Sequence, residues 1–135
     1  MTLRYMLDTN ICIYVLNGTL SHLAERFDAQ ASSLCISSIT VAELWYGVEK
    51  SAPRWRETNI TGLARLIARL EVLAFDGEAA AHFGEIRVGL ERAGTPCGAY
   101  DLLIGAHARS LGMTLVTNNR REFDRMPGLA VENWI

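Results

Sequence analysis

Short apolar runs alternate with longer amphipathic stretches along this chain, and that alternation predicts most of its elements. Leu3 to Leu7 is apolar-rich and too short for a helix, so it reads as a buried strand. Asp8-Thr9-Asn10 are all cap-forming residues and open a helix over Ile11 to Leu16. A second helix is predicted from Leu20 to Ala31, then a strand from Leu34 to Ile36 that Ser37-Ser38 breaks. Ile39 to Lys50 has helical periodicity, with Val41, Leu44, Trp45 and Val48 on one face. After a loop holding Pro53, the pattern predicts a helix over Arg56 to Leu70, a strand over Val72 to Phe75 and a long helix over Gly77 to Arg92. A Gly-Thr-Pro loop leads into a helix over Ala99 to Leu111, and strands follow at Thr114 to Thr117 and Ala130 to Glu132.

Strands alternating with helices imply an α/β fold with a mainly parallel sheet of five strands, in one domain spanning residues 1–135. This has a geometric consequence. Helices that return between parallel strands begin where strands end, so helix N-termini and strand C-termini gather at one edge of the sheet. Ligands of open α/β folds bind there.

Several oxygen-bearing side chains are predicted at that edge. Asp8 ends the first strand, Glu43 falls in the first turn of the helix after the second, and Asp101 falls in the first turn of the helix before the fourth. Asn119 and Glu122 directly follow the fourth strand, and Asp76 follows the third. Clustered carboxylates repel one another unless a cation sits among them, and hard oxygen donors suit Mg²⁺ or Mn²⁺. Acidic sites without histidine serve phosphodiester hydrolysis, where a metal activates water and shields the phosphate. Each acid also has a structural reading. Asp8 and Asp76 are possible helix caps, Thr40 with Glu43 has capping-box spacing, Asp101 complements a helix dipole, and Glu122 suits a surface. Gly47, four residues after Glu43 on the same helical face, leaves the space beside that carboxylate open or marks a close helix contact.

Composition narrows the picture modestly. Half of the 135 residues are hydrophobic and a fifth are charged, as in ordinary globular domains. Net charge is −2, so any basic surface must be local. Ten of the thirteen cations are arginines between Arg54 and Arg125. No apolar run approaches the roughly 18 residues of a membrane span, and the N-terminus lacks a signal-peptide pattern. A cytoplasmic protein that does not cross the membrane is expected. Cys12, Cys35 and Cys97 fit no zinc spacing, and the first two read as core residues.

The acids lie in segments that together resemble the PIN-domain ribonucleases. Met6-Leu7-Asp8-Thr9-Asn10 is similar to their first motif, Ser38-Ile39-Thr40-Val41-Ala42-Glu43-Leu44 with Gly47 to the second, and Ala99 to Ala108, around Asp101, to the third. Leu115 to Asn119 with Glu122-Phe123 resembles the fourth, and Pro127 to Trp134 the closing segment. Order and spacing agree over essentially the whole chain. Within the family, the pattern is most similar to the VapC toxins of type II toxin–antitoxin modules. The resemblance implies an α/β/α sandwich with strand order 3-2-1-4-5, which places Asp76 away from the other acids. It also implies a Mg²⁺- or Mn²⁺-dependent endoribonuclease acting on structured RNA such as tRNA. A homodimer inhibited by a VapB-type antitoxin, whose tail enters the active-site groove, is implied as well.

Carried over by position, Asp8 and Asp101 are the expected main metal ligands, and Glu43 completes the set directly or through water. The fourth acidic position holds Asn119, a neutral amide, where many relatives have Asp; Glu122 is the alternative supplier of charge. Thr9 and Thr117 are candidate hydroxyl partners that orient carboxylates or water. Arg120 and Arg121 are the expected RNA phosphate contacts, with Arg125 behind them. His107 lies two turns below Asp101 and reads as a packing residue, so a histidine-based, metal-free ribonuclease is disfavoured. Trp45 reads as core, and Trp55 as a contact for antitoxin or a second subunit. Two rival functions remain at this point. One is a non-catalytic binding module, favoured by Asn119. The other is an aspartyl phosphatase, disfavoured by Asn10 standing two residues after Asp8 and by the absence of a Gly-rich phosphate loop.

Overall fold

A computed structural model describes residues 2–135. Five parallel strands form one sheet: β1 (Tyr5–Leu7), β2 (Leu34–Ser37), β3 (Glu71–Leu73), β4 (Thr114–Val116) and β5 (Val131–Glu132). Their order is β3-β2-β1-β4-β5. Tyr5 and Met6 of β1 stand in register with Leu34 and Cys35 of β2 on one side and with Thr114 and Leu115 of β4 on the other. The helices are α1 (Thr9–Asn17), α2 (Ser21–Gln30), α3 (Ser38–Lys50), α4 (Arg56–Ala68), α5 (Gly77–Arg92), α6 (Ala99–Ser110) and α7 (Arg120–Phe123).

The sheet is covered on both faces, which explains why its central strands read as apolar runs rather than alternating ones. Side chains still alternate in direction. Tyr5, Leu7, Leu34, Ile36 and Val116 face a core built with α1 to α4, including Leu23, Phe27, Leu44 and Leu63. Met6, Cys35 and Leu115 face the opposite core, with Ile86, Leu90, Leu102, Ile104 and Phe123. Cys12 and Cys35 are buried within these cores.

The predicted elements are all present; several bounds move by one or two residues, the third strand from Val72–Phe75 to Glu71–Leu73 among them, and further details differ. The second helix ends at Gln30, and Ala31–Ser33 tighten into a 3₁₀ turn. Arg120–Phe123, for which the pattern predicts no element, coil into α7. Trp45, expected in the core, is 40% exposed: the buried stripe of α3 is Thr40, Leu44 and Val48, and Trp45 falls beside it. The capping box at Thr40 and Glu43 does not form. Ser37 caps α3, its hydroxyl accepting from the Ile39 amide at 3.0 Å, so Thr40 is already inside the helix and Glu43 lies in the second turn rather than the first. Among the described residues no helix is long and apolar enough to cross a membrane.

Candidate active site

The central strand β1 ends directly in Asp8, which is 2% exposed. One Asp8 carboxylate oxygen accepts from the Ile11 amide at 2.9 Å and caps α1. The other accepts from the hydroxyl of Thr117, the residue after β4. The helix-cap reading is therefore correct, but it accounts for only half of this carboxylate. Burial raises the Asp8 pKa above its ordinary value; the Thr117 and Ile11 hydrogen bonds oppose the rise, and the charge of Glu43 adds to it. Asp8 is thus held in place and is close enough to Glu43 to feel its charge.

Glu43 projects from α3 toward α1. Its carboxylate accepts from the Thr9 hydroxyl at 2.6 Å, and the Thr40 hydroxyl stands 3.3 Å from that of Thr9. A Cβ added at Gly47 would meet nothing within 4 Å, so the glycine leaves open space rather than making a close helix contact. Glu43 and Gly47 border a groove of about 810 Å³ between α1, α3 and α4, whose floor includes Leu16, Leu44, Val48 and Leu63.

Asp101 sits in the first turn of α6 and is half-buried. Its pKa is pushed up to about 7, first by burial, then by hydrogen bonding and charge from Glu122, then by the charges of Asp8 and Glu43. Glu122 moves the opposite way. It is lowered chiefly because one carboxylate oxygen accepts from the Gly98 amide at 2.8 Å, with Asp101, Asn119 and Arg125 also favouring its charged form. The other oxygen accepts from the Asn119 side-chain amide at 3.1 Å. Glu122 and Asn119 thus work as a clamp, fastening the start of α6 to the turn after β4.

Four of the predicted acids, Asp8, Glu43, Asp101 and Glu122, therefore stand within electrostatic reach of one another. Asp76 does not join them: it follows edge strand β3 and caps α5, accepting from the Ala79 amide at 3.0 Å. Arg120 and Arg121 lie exposed on α7; Arg120 pairs with Asp124 at 3.3 Å. His107 is buried away from the acids, its Nδ1 2.8 Å from the Ser37 hydroxyl and its ring edge-on to Phe75. Sequence reasoning missed three parts of this arrangement. They are the Gly98 amide that anchors Glu122, the Ser37 cap that orients α3, and the His107 ring that supports Ser37. A cap signal was present in Ser37, immediately before an amphipathic run; the other two need partners 24 and 70 residues away.

Among the described residues no three His, Cys, Asp or Glu side chains are already arranged to hold a metal ion. The donor chemistry nevertheless fits one. The acids are hard oxygen donors; burial first and mutual repulsion second raise Asp8 and Asp101, and a divalent cation would relieve the repulsion. An incomplete protein cage suits Mg²⁺, which keeps several waters and takes only one or two carboxylates directly.

A five-stranded parallel α/β/α domain with acids gathered where β1, β4 and α6 meet defines the class, and the PIN domain family model matches residues 5–129. The chain belongs to the PIN-domain family. It is 51% identical over 133 residues to the tRNA(fMet)-specific endonuclease VapC of Salmonella typhimurium, covering 98% of each chain. Against ribonuclease VapC2 of Haemophilus influenzae the identity is 47% over 133 residues, covering 98% of this chain and 99% of the other. The crystal structure of DNA-bound VapBC from Salmonella typhimurium matches with a TM-score of 0.93 at 50% identity, covering 98% of this chain and 99% of that one.

Proposed function

We propose that this chain is a VapC-type, divalent-metal-dependent endoribonuclease that hydrolyses structured RNA, with tRNA as the substrate class. The observation that carries the reading is Asp8, buried with both oxygens hydrogen-bonded, within reach of the charges of Glu43 and Asp101. Asp8 and Asp101 would hold Mg²⁺ or Mn²⁺, with Glu43 directly or through water. When bound, the ion supplies Lewis acidity, lowering the pKa of water and shielding the phosphate. Thr117 and the α1 N-terminus keep Asp8 aimed into the site, and Thr9 orients Glu43. Glu43, which faces the open space beside Gly47, orders the attacking water and accepts its proton. In-line attack forms the new P–O bond and breaks the P–O3′ bond; O3′ leaves taking a proton from solvent, giving a 5′-phosphate and a 3′-hydroxyl. Glu122, with Asn119, holds the first turn of α6 so that Asp101 meets Asp8. Arg120 and Arg121 supply phosphate contacts.

The solved structure of a VapBC complex supports a VapB-type antitoxin as partner. The groove beside Glu43 suits its segment, with an apolar floor for side chains and charged groups of both signs, Glu43, Glu57 and Arg65, along its lining. A homodimer acting in the cytoplasm completes the reading.

Incubating the purified chain with total tRNA in Mg²⁺ or Mn²⁺, and separately in excess EDTA, tests it. Cleavage confined to the metal-containing reactions is expected. Undiminished cleavage in EDTA overturns the metal role, and binding without cleavage under every condition identifies a non-catalytic RNA-binding module. Sequencing RNA ends after brief induction of wild type and Asp8→Ala identifies the target.

A further inference from the structure

Four large aromatic side chains are well exposed: Trp45 (40%), Tyr46 (66%), Trp55 (51%) and Tyr100 (60%). Two of these rings already carry a cation, Lys50 at 5.8 Å from the Tyr46 centroid and Arg54 at 5.6 Å from that of Trp55. Trp45 lies two residues from Glu43 on α3, more than half a helical turn around from that carboxylate. Tyr100 differs from all three. Among the described residues its ring has no aromatic or cationic partner and its hydroxyl no hydrogen bond, and it immediately precedes Asp101 in the first turn of α6.

That turn is not a loose end. The clamp from Glu122 to the Gly98 amide at 2.8 Å fixes the residue before α6, so Tyr100 sits at a set position relative to Asp101. A cation is anchored on the loop before α6. Arg125 donates to the Pro96 carbonyl in the loop leading into α6, and Arg121 is exposed and without an ion pair among the described residues. An open aromatic ring one residue from a phosphodiester-cleaving acid, with an arginine held on the loop that leads into its helix, matches what single-stranded nucleic acid offers: a base to stack and a phosphate to pair.

We infer that Tyr100 is a stacking platform for an unpaired base next to the scissile phosphate, and so a substrate-selecting residue of this site. The inference rests on the ribonuclease reading above. It implies that the cut falls in an unpaired stretch, such as a loop, because a base held in a duplex cannot cover the ring.

The test uses a short single-stranded oligoribonucleotide carrying 2-aminopurine and a fully paired duplex of the same sequence, both in EDTA so that binding is read without cleavage. For wild type, 2-aminopurine fluorescence is expected to fall on binding. Tyr100→Ala should lose that quenching and bind the single strand about tenfold more weakly, with duplex binding unchanged. Tyr100→Phe and Tyr100→Trp, which keep an aromatic face, should remain close to wild type. With metal added, Tyr100→Ala should raise KM far more than it lowers kcat. The inference is overturned if wild type does not quench the probe. It is equally overturned if Tyr100→Ala binds the single strand like wild type, or if its only effect is a changed sedimentation state, which assigns the ring to a protein contact. Wild type that cleaves tRNA while Tyr100→Ala binds normally defeats the stacking role alone; wild type that cleaves nothing defeats the ribonuclease reading.

Discussion

The two sides of the acidic edge solve the problem of a buried carboxylate differently. At the end of β1, Asp8 is almost completely enclosed, but both oxygens are hydrogen-bonded, so burial is partly offset by donors built into the fold. At the start of α6, Asp101 is less enclosed yet more strongly perturbed: burial contributes most, and neighbouring carboxylates, Glu122 foremost, add to it. Asp8 is positioned by the protein alone. Asp101 is left with repulsion that the described side chains do not cancel, which is the situation a bound cation would resolve.

The largest test of that contrast is removal of either charge. Asp8→Asn keeps a cap-competent side chain for the Ile11 amide, and Asp101→Asn keeps shape, so both variants should fold. Each is expected to lose about a thousandfold or more in metal-supported RNA cleavage, since several kcal/mol of charge stabilisation depend on the ion. Single-turnover cleavage measures it, and wild-type activity in either variant breaks the assignment.

Next in size is Thr117→Val, which removes the donor to Asp8 while keeping side-chain volume. Loss of a residue that orients a metal ligand typically costs about 10- to 100-fold in metal affinity or activity. Metal titration of the activity should show it. The acidic limb of the pH profile should also move to higher pH, because the Thr117 bond is what restrains the rise in the Asp8 pKa.

Stability separates the two sides in the opposite sense. Asp101 ionises near pH 7 when folded but near 3.8 ordinarily. The folded state therefore holds the proton more tightly. Its contribution to stability is complete below about pH 4, falls as the pH rises toward 7, and stays low above that. In metal-free protein Asp101→Asn should be more stable than wild type by about 1–2 kcal/mol at pH 8, allowing for partial exposure, and the gain should vanish near pH 4. Thermal melts at the two pH values check this, and Mg²⁺ should narrow the difference by stabilising only wild type. The smallest effect is expected at Asp76, which stands apart from the site. Asp76→Ala should cost about 1 kcal/mol through loss of the α5 cap, with kcat/KM unchanged; a loss of activity would return Asp76 to the site.

Much of this was legible in the chain because it depends on local rules. Asp8 opens α1 and Asp76 opens α5, as their positions before apolar helical runs indicated, and Gly77–Arg92 forms a helix with the predicted bounds. The convergence of Asp8, Glu43 and Asp101 was readable for a topological reason: parallel strands joined by helices put those residues at one edge. The misread details share one cause, competition between nearby alternatives. Ser37 and Thr40 are both good caps, and only the packing of α3 decides that Ser37 takes the role. Trp45 borders the apolar stripe of α3, and 3.6-residue periodicity does not say where burial stops.

The sequence by itself determined the α/β class, the chain order of the elements and the set of acids, because patterning and connectivity are properties of neighbouring residues. Tertiary structure alone decided what each acid does with its oxygens. The Asp8–Thr117 bond joins residues 109 apart. The Glu122 clamp on Gly98, which turns a predicted surface acid into a support for Asp101, spans 24. Hydrogen bonds require two groups within about 3 Å in the right direction, and no one-dimensional pattern specifies that meeting.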